Sequence, residues 1–247
     1  MKVYSLLISF GVASLLTACK ESEPTSSTVA DVELPEVEAP VSKKEESKSE
    51  TKPTWPPASD TVDADLLKEN YLVVLDDSGS MKGEKIEQAK EALLSLAQTL
   101  PAEHNLGLVL LNRSNTVALG LNNRDEFSKA IRSTRADGGT PLRAVATKAY
   151  KLITEKASAQ RGYGKYHMII VTDGESSDGS AMPLVKAMVK KTAIQVHVIG
   201  FHLKNHEMNQ PKLVDYRTAG NSRELSQAFE AVAAETDEFS DPQEFTR

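Results

Sequence analysis

Cysteine is almost absent from this chain. Cys19 is the only one in 247 residues, so no intrachain disulfide can form and no cysteine-based metal site exists. Tryptophan also occurs once, as Trp55, and aromatic residues make up 5% of the chain. The part that reads as folded shows no basic stripe, and the formal net charge is −6, which argues against nucleic acid as a partner. No P-loop, no Gly-x-Gly-x-x-Gly turn and no Gly-x-Ser-x-Gly elbow occurs. No internal repeat is evident. What is left is an average soluble composition, 26% charged and 40% hydrophobic, with enough length for one core plus tails.

The N-terminus reads as an address. Met1-Lys2 gives a positive start, and Val3 to Leu16 is apolar but too short for a comfortable membrane span. Leu16-Thr17-Ala18-Cys19 then resembles a bacterial lipobox, with residues 1–19 as the signal segment and Cys19 as the acylated residue. The alternative is an ordinary signal peptide with an incidental cysteine. Acyl chains would anchor the protein in a membrane, since each buried CH₂ contributes about 0.8 kcal/mol. The expected location is the bacterial cell envelope. Lys20, which follows Cys19, favours the outer membrane where the host has two.

Residues 20–64 are rich in Glu, Ser, Thr, Pro, Val and Lys, a composition that cannot bury enough apolar surface to offset chain ordering. They read as a disordered linker, spanning roughly 35–40 Å on average. Trp55, before Pro56-Pro57, reads as a stray aromatic of that linker, with docking on the domain as the alternative. Residues 65–236 read as the folded domain, and 237–247 as an acidic tail.

The domain is organised around Tyr71-Leu72-Val73-Val74-Leu75-Asp76-Asp77-Ser78-Gly79-Ser80. The apolar run lacks polar alternation, as in a strand buried on both faces of a parallel sheet. Ligands of open α/β sheets bind just beyond the carboxyl ends of such strands. Asp76, Ser78 and Ser80 stand there and offer only oxygen, a set suited to Mg²⁺ or Mn²⁺ rather than zinc. Gly79 is expected to let that loop fold tightly. A helix is expected over 82–100, then an apolar run at 106–111 and a weaker one at 117–121 that form a hairpin with an antiparallel edge strand. A short helix is expected over 125–133. Asp137-Gly138-Gly139-Thr140-Pro141 precedes the next helix, with Thr140 suited to its N-cap and Pro141 to its first position. A strand over 166–172 ends at Asp173-Gly174, so a second acid follows a second apolar strand. A helix over 181–191, a strand over 194–201, a short strand over 213–216 and a helix over 224–234 complete the domain. Alternating strands and helices imply an α/β fold with a doubly wound, mostly parallel central sheet.

Asp76-x-Ser78-x-Ser80, Gly138-Gly139-Thr140 and Val171-Thr172-Asp173-Gly174, in that order, resemble the von Willebrand factor A (VWA) domain with a metal-ion-dependent adhesion site. The likeness extends over about 65–234. It implies that Ser78 and Ser80 ligate a metal directly, that Thr140 joins them in the high-affinity arrangement, and that Asp76 and Asp173 act directly or through water. The implied ion is Mg²⁺, with Mn²⁺ or Ca²⁺ as alternatives. The implied function is non-enzymatic capture of a protein partner's acidic side chain, in adhesion or envelope assembly. Two other readings stay open: a Mg²⁺-dependent phosphohydrolase, and a VWA scaffold with metal-independent contacts. Against the hydrolase, Ser78 stands where aspartyl-phosphate hydrolases carry a second Asp. Asp77 is assigned no role, and no site is assigned to His104, His167, His197, His202 or His206. His202 and His206 read as surface loop residues. Asp76→Ala is expected to spare the fold.

Overall fold

Strand β1 (Glu69–Leu75) is buried at every position, and its side chains alternate between two cores. Tyr71, Val73 and Leu75 enter one apolar cluster, while Leu72 and Val74 enter the other. That is the arrangement the unbroken apolar run implies. The computed structural model describes residues 34–35, 55–57, 66–112, 116–120 and 123–234. The expected leader, Cys19, most of the expected linker and the acidic tail lie outside the described residues. No helix among the described residues is long and apolar enough to cross a membrane.

After β1 come α1 (Glu84–Thr99), β2 (Asn105–Leu110), β3 (Thr116–Gly120), α2 (Arg124–Ser133) and α3 (Leu142–Ala159). Then follow β4 (Lys165–Thr172), α4 (Met182–Lys191), β5 (Ile194–Phe201), β6 (Asp215–Ala219) and α5 (Ser222–Ala234). The sheet order is β3-β2-β1-β4-β5-β6. Every pairing is parallel except β2 with β3, so the expected antiparallel edge strand is present. Helices α1, α2 and α5 cover one face and α3 and α4 the other. The strand order reverses between β1 and β4, which makes their carboxyl ends the switch point of the fold.

Two boundaries differ from expectation. Helix α1 starts at Glu84 rather than Lys82, because a 3-10 turn over Gly79–Met81 intervenes, closed by Met81 N–H to Ser78 O at 3.1 Å. The last strand starts at Asp215 rather than 213. Leu213 and Val214 direct their N–H groups back to Gln210 O in a turn, and pairing begins at His197 with Asp215.

Trp55 docks on the domain rather than standing free. It stacks on Tyr150 of α3 at 6.3 Å between ring centroids and meets the edge of Tyr166, the second residue of β4, also at 6.3 Å. Gly162 makes room for its neighbour: a Cβ there would lie 2.8 Å from Pro56 Cδ. Tyr166 opens β4 and Asp173 follows its end, so Trp55 sits at the amino edge of the sheet, opposite the expected site.

A row of rings crosses the sheet at the same edge. His104 stacks on Tyr71 at 5.6 Å, Tyr71 on His167 at 4.7 Å, and His167 on His197 at 5.4 Å. His197 Nδ1 lies 3.1 Å from Asp215 Oδ2, so that nitrogen carries the proton and donates to the carboxylate. His197 Nε2 therefore accepts from His167 Nδ1–H at 3.2 Å, and His167 Nε2 is left buried without a hydrogen bond. Burial, reinforced by His197, pulls the His167 pKa from 6.5 down to about 3, against the pull of Glu69.

Two outcomes follow from these contacts. The sole tryptophan reports its own docking: the folded full chain should emit to the blue of a hydrated indole, and Tyr150→Ala should move emission to the red and raise acrylamide quenching. A folded wild type with water-like emission would refute the docking. His167 is neutral in the fold and protonates below its ordinary pKa only in the unfolded chain. Its contribution to stability is thus full at neutral pH and declines as pH falls from 6.5 toward about 3. From pH 7 to 5 the loss should be about 2 kcal/mol, read by denaturant melts. An unchanged slope in His167→Gln would assign the loss to other groups.

Candidate metal centre

The site starts with a strand pairing. Leu75 lies beside Val171, so Asp76 follows β1 level with Thr172 at the end of β4. Asp76 N–H donates to Val171 O at 2.9 Å. The Asp76 carboxylate is fully buried; its Oδ1 accepts from Ser78 N–H at 2.9 Å and its Oδ2 from the Thr172 hydroxyl at 2.7 Å. The expectation that Asp76→Ala spares the fold is therefore corrected. Its removal would leave the Ser78 amide without its acceptor and the Thr172 hydroxyl with only Gly174 O at 3.0 Å, at a cost of about 1–3 kcal/mol.

From there the oxygens form a chain. Ser78 Oγ lies 3.0 Å from Ser80 Oγ, and Ser80 Oγ donates to Asp173 Oδ1 at 2.6 Å. Since Ser80 gives its proton to Asp173, Ser78 must donate to Ser80, which leaves the lone pairs of Ser78 uncommitted. Asp173 Oδ2 meets Lys85 Nζ at 2.5 Å.

Thr140 arrives on a third loop. Gly79 N–H donates to Gly138 O at 2.9 Å and Asp137 N–H to Asp77 O at 2.8 Å, which fastens the glycine loop to the Asp76 loop. Gly138 has φ +82, and a Cβ on it would lie 2.7 Å from Asn112 Oδ1, so the close approach depends on glycine. Gly79 needs no such freedom; its contribution is the backbone bond to Gly138. Thr140 N–H donates to Ser177 Oγ at 3.1 Å, and Ser177 N–H to Thr140 O at 2.8 Å. The Thr140 hydroxyl makes no hydrogen bond among the described residues. Ser80 thus links Ser78 to Asp173, Asp76 joins them through the Ser78 amide, and Thr140 is held beside them by its backbone.

Thr140 does not cap helix α3. Asp178, from the loop after β4, takes the backbone N–H of Arg143 at 3.0 Å and of Ala144 at 2.8 Å. Burial pushes the Asp178 pKa up, but hydrogen bonds from Ser176, Ala144 and Arg143 outweigh it and hold the carboxyl below the usual range. A cap supplied from another loop leaves no sequence signature beside the helix, which explains why Asp178 was missed.

Other residues were also missed. Asp77, given no role from sequence, is fully buried, and its Oδ1 accepts from the backbone and side-chain N–H of Asn112 at 2.8 and 3.2 Å. Asn112 in turn donates to Gly139 O at 2.7 Å. His206 is buried rather than superficial. Its Nδ1 accepts from Met208 N–H, so Nε2–H donates to Gly174 O at 3.1 Å and steadies the backbone after Asp173.

These oxygens are the donor set of a hard divalent cation, a pair of carboxylates with neutral hydroxyls between them. Among the described residues no group of three or more His, Cys, Asp or Glu could hold a metal.

Fold and site together place the chain in the von Willebrand factor type A domain family, whose match covers residues 71–237; the chain belongs to that family. It is 28% identical over 137 residues to an uncharacterized protein of Synechocystis sp., covering 53% of this chain and 32% of that protein. It is 29% identical over 124 residues to inter-alpha-trypsin inhibitor heavy chain H4 of Sus scrofa, covering 47% of this chain and 13% of that one. The chain thus spans well under half the length of these relatives. Among solved structures it resembles the pilus adhesin SpaC from Lactobacillus rhamnosus GG, with TM-score 0.54, 16% identity, and 72% of this chain and 31% of that one covered. It also resembles proximal thread matrix protein 1 of the mussel byssus with zinc in its MIDAS motif, with TM-score 0.54, 17% identity, and 70% and 48% covered. At these identities the likeness shows the fold.

The division of labour between Asp178 and Thr140 can be measured without metal. In EDTA, Asp178→Ala should cost about 1 kcal/mol through the lost cap. Thr140→Val should stay within about 0.5 kcal/mol, because its hydroxyl carries no bond. The reverse order in thermal melts would restore Thr140 as the cap.

Proposed function

We propose that this chain is a non-enzymatic, metal-dependent binding module that captures a protein partner by an acidic side chain. The observation that carries the reading is the connected oxygen set: Ser78, Ser80 and Asp173 in one hydrogen-bonded chain, with buried Asp76 and the unbonded Thr140 hydroxyl beside it. Ser78, Ser80 and Thr140 would hold a Mg²⁺-type ion directly. Asp76 and Asp173 would orient hydroxyls and water around it. When bound, the metal would offer a positive coordination position that a partner's carboxylate can fill, in a crevice where attraction exceeds that in bulk water.

The residues also speak against the hydrolase alternative. Both oxygens of Asp76 are engaged by Ser78 and Thr172, so that carboxylate is a poor nucleophile. Solved adhesins of the same fold are compatible with a binding role.

Under this reading Cys19 carries lipid and the domain stands on a tether in the bacterial envelope. The Trp55 contact at the amino edge would let the chain approach from the side opposite the metal edge, leaving the edge that carries Ser80 and Thr140 free for a partner.

The test is a pull-down from envelope extract with the full chain in detergent, run with Mg²⁺, with EDTA, and with Thr140→Val in Mg²⁺. Thr140→Val is preferred to Asp76→Ala because it leaves the hydrogen-bonded framework whole. A partner retained only by wild type with Mg²⁺ supports metal-bridged recognition. A partner retained in all three moves recognition to another face and overturns the proposal.

A further inference from the structure

Asp173 makes one contact that the motif does not call for. Its Oδ1 accepts from Ser80, as a site residue should, but its Oδ2 is ion-paired to Lys85 at 2.5 Å. The Asp173 side chain has no solvent exposure, whereas that of Lys85 keeps 34%. Lys85 is the second residue of α1, and the next residue, Ile86, is packed into the core, so the ammonium is presented by an anchored helix. Lys82, the other nearby base, pairs instead with Asp137, and both of those side chains are mostly exposed. Lys85 alone among these bases reaches a buried acid of the site.

We propose that Lys85 is the resident counter-ion of the metal site: its ammonium neutralises Asp173 in the metal-free domain and sets the affinity for divalent cations by competing for that carboxylate. The inference rests on the metal-site reading above and adds the residue that tunes it. Asp76 and Asp173 follow adjacent strands, and burying two acids at one edge is costly without a positive charge. The ammonium supplies that charge within the chain. The same ammonium repels a divalent cation brought to Ser78 and Ser80, because like charges in a partly dry crevice are poorly screened. Lys85 should therefore act in opposite directions, stabilising the metal-free domain and weakening its hold on metal. A residue with a purely structural role would move both quantities the same way.

Three full-length proteins separate these cases: wild type, Lys85→Gln, which keeps an N–H donor without charge, and Lys85→Arg, which keeps the charge. Each is titrated calorimetrically with MgCl₂ and MnCl₂ and melted in EDTA and in Mn²⁺. Lys85→Gln should bind the cations at least tenfold more tightly than wild type and melt lower in EDTA, with the deficit recovered in Mn²⁺. Lys85→Arg should stay close to wild type in both. A Lys85→Gln that folds only with Mn²⁺ present would support the same conclusion. Unchanged or weaker cation affinity in Lys85→Gln would overturn the counter-ion role while leaving the metal site standing. Three folded proteins that bind neither cation would overturn the metal-site reading, and this inference with it.

Discussion

The parallel register of β1 on β4 is the constraint on which the rest depends. With Leu75 beside Val171, the first polar residues past each strand meet: Asp76 N–H reaches Val171 O, and the Thr172 hydroxyl reaches the Asp76 carboxylate. A one-residue slip of β4 would exchange Ile169 and Val171 for Met168 and Ile170 in the first core cluster, turning each side chain to the other face. It would also carry Thr172 away from Asp76 and Asp173 away from Ser80. Core packing and site geometry are therefore two readings of one register, and the buried strands that give the sheet its stability also aim its oxygens.

Most polar chemistry lies toward the two ends of the strands, because their middles are largely apolar on both faces. At the carboxyl edge it is made of carboxylates and hydroxyls. At the amino edge it is made of stacked rings, His104 on Tyr71, Tyr71 on His167 and His167 on His197, of which only the two histidines His167 and His197 pass hydrogen bonds on toward Asp215. Two hydrogen bonds, from His197 and from Arg217, keep the Asp215 carboxyl low against the opposing effect of its burial. One end thus concentrates negative charge at the mouth of a crevice. The other holds neutral imidazole inside the protein, next to the point where Trp55 enters.

Much of this was legible in the residues. The unbroken apolar run at 71–75 announced a central parallel strand, and β5 begins and ends where its apolar run does. Asp76, Ser78, Ser80, Thr140 and Asp173 announced themselves because motifs are local and each loop carries its own. What stayed hidden is whatever acts across the chain. Asp178 caps a helix that begins 36 residues earlier, in the loop before it in space but after it in sequence. Asp77 and Asn112 meet only because β1 and β2 are neighbours. Nothing in the surroundings of Lys85 in sequence distinguishes it from Lys82. His206 sits in a loop whose polarity concealed its burial.

The scarce requirement at the carboxyl edge is positive charge. Asp76, Asp77 and the side chain of Asp173 are all withdrawn from solvent there. The N-terminus of α3 opens two residues after Thr140 and would ordinarily supply part of the compensation through its free N–H groups and dipole. Asp178 already occupies those groups, so that source is closed to the site and another acid is added beside it. Hydroxyls can share protons along Ser78, Ser80 and Asp173, but they cannot cancel charge. Within the chain, compensation comes from the ammonium of Lys85, which pairs with Asp173. On the proposed metal-site reading, a cation at the serine and threonine oxygens would supply the rest, and a site whose helix N-terminus is occupied and whose acid is paired to a lysine would exist in two charge states rather than one.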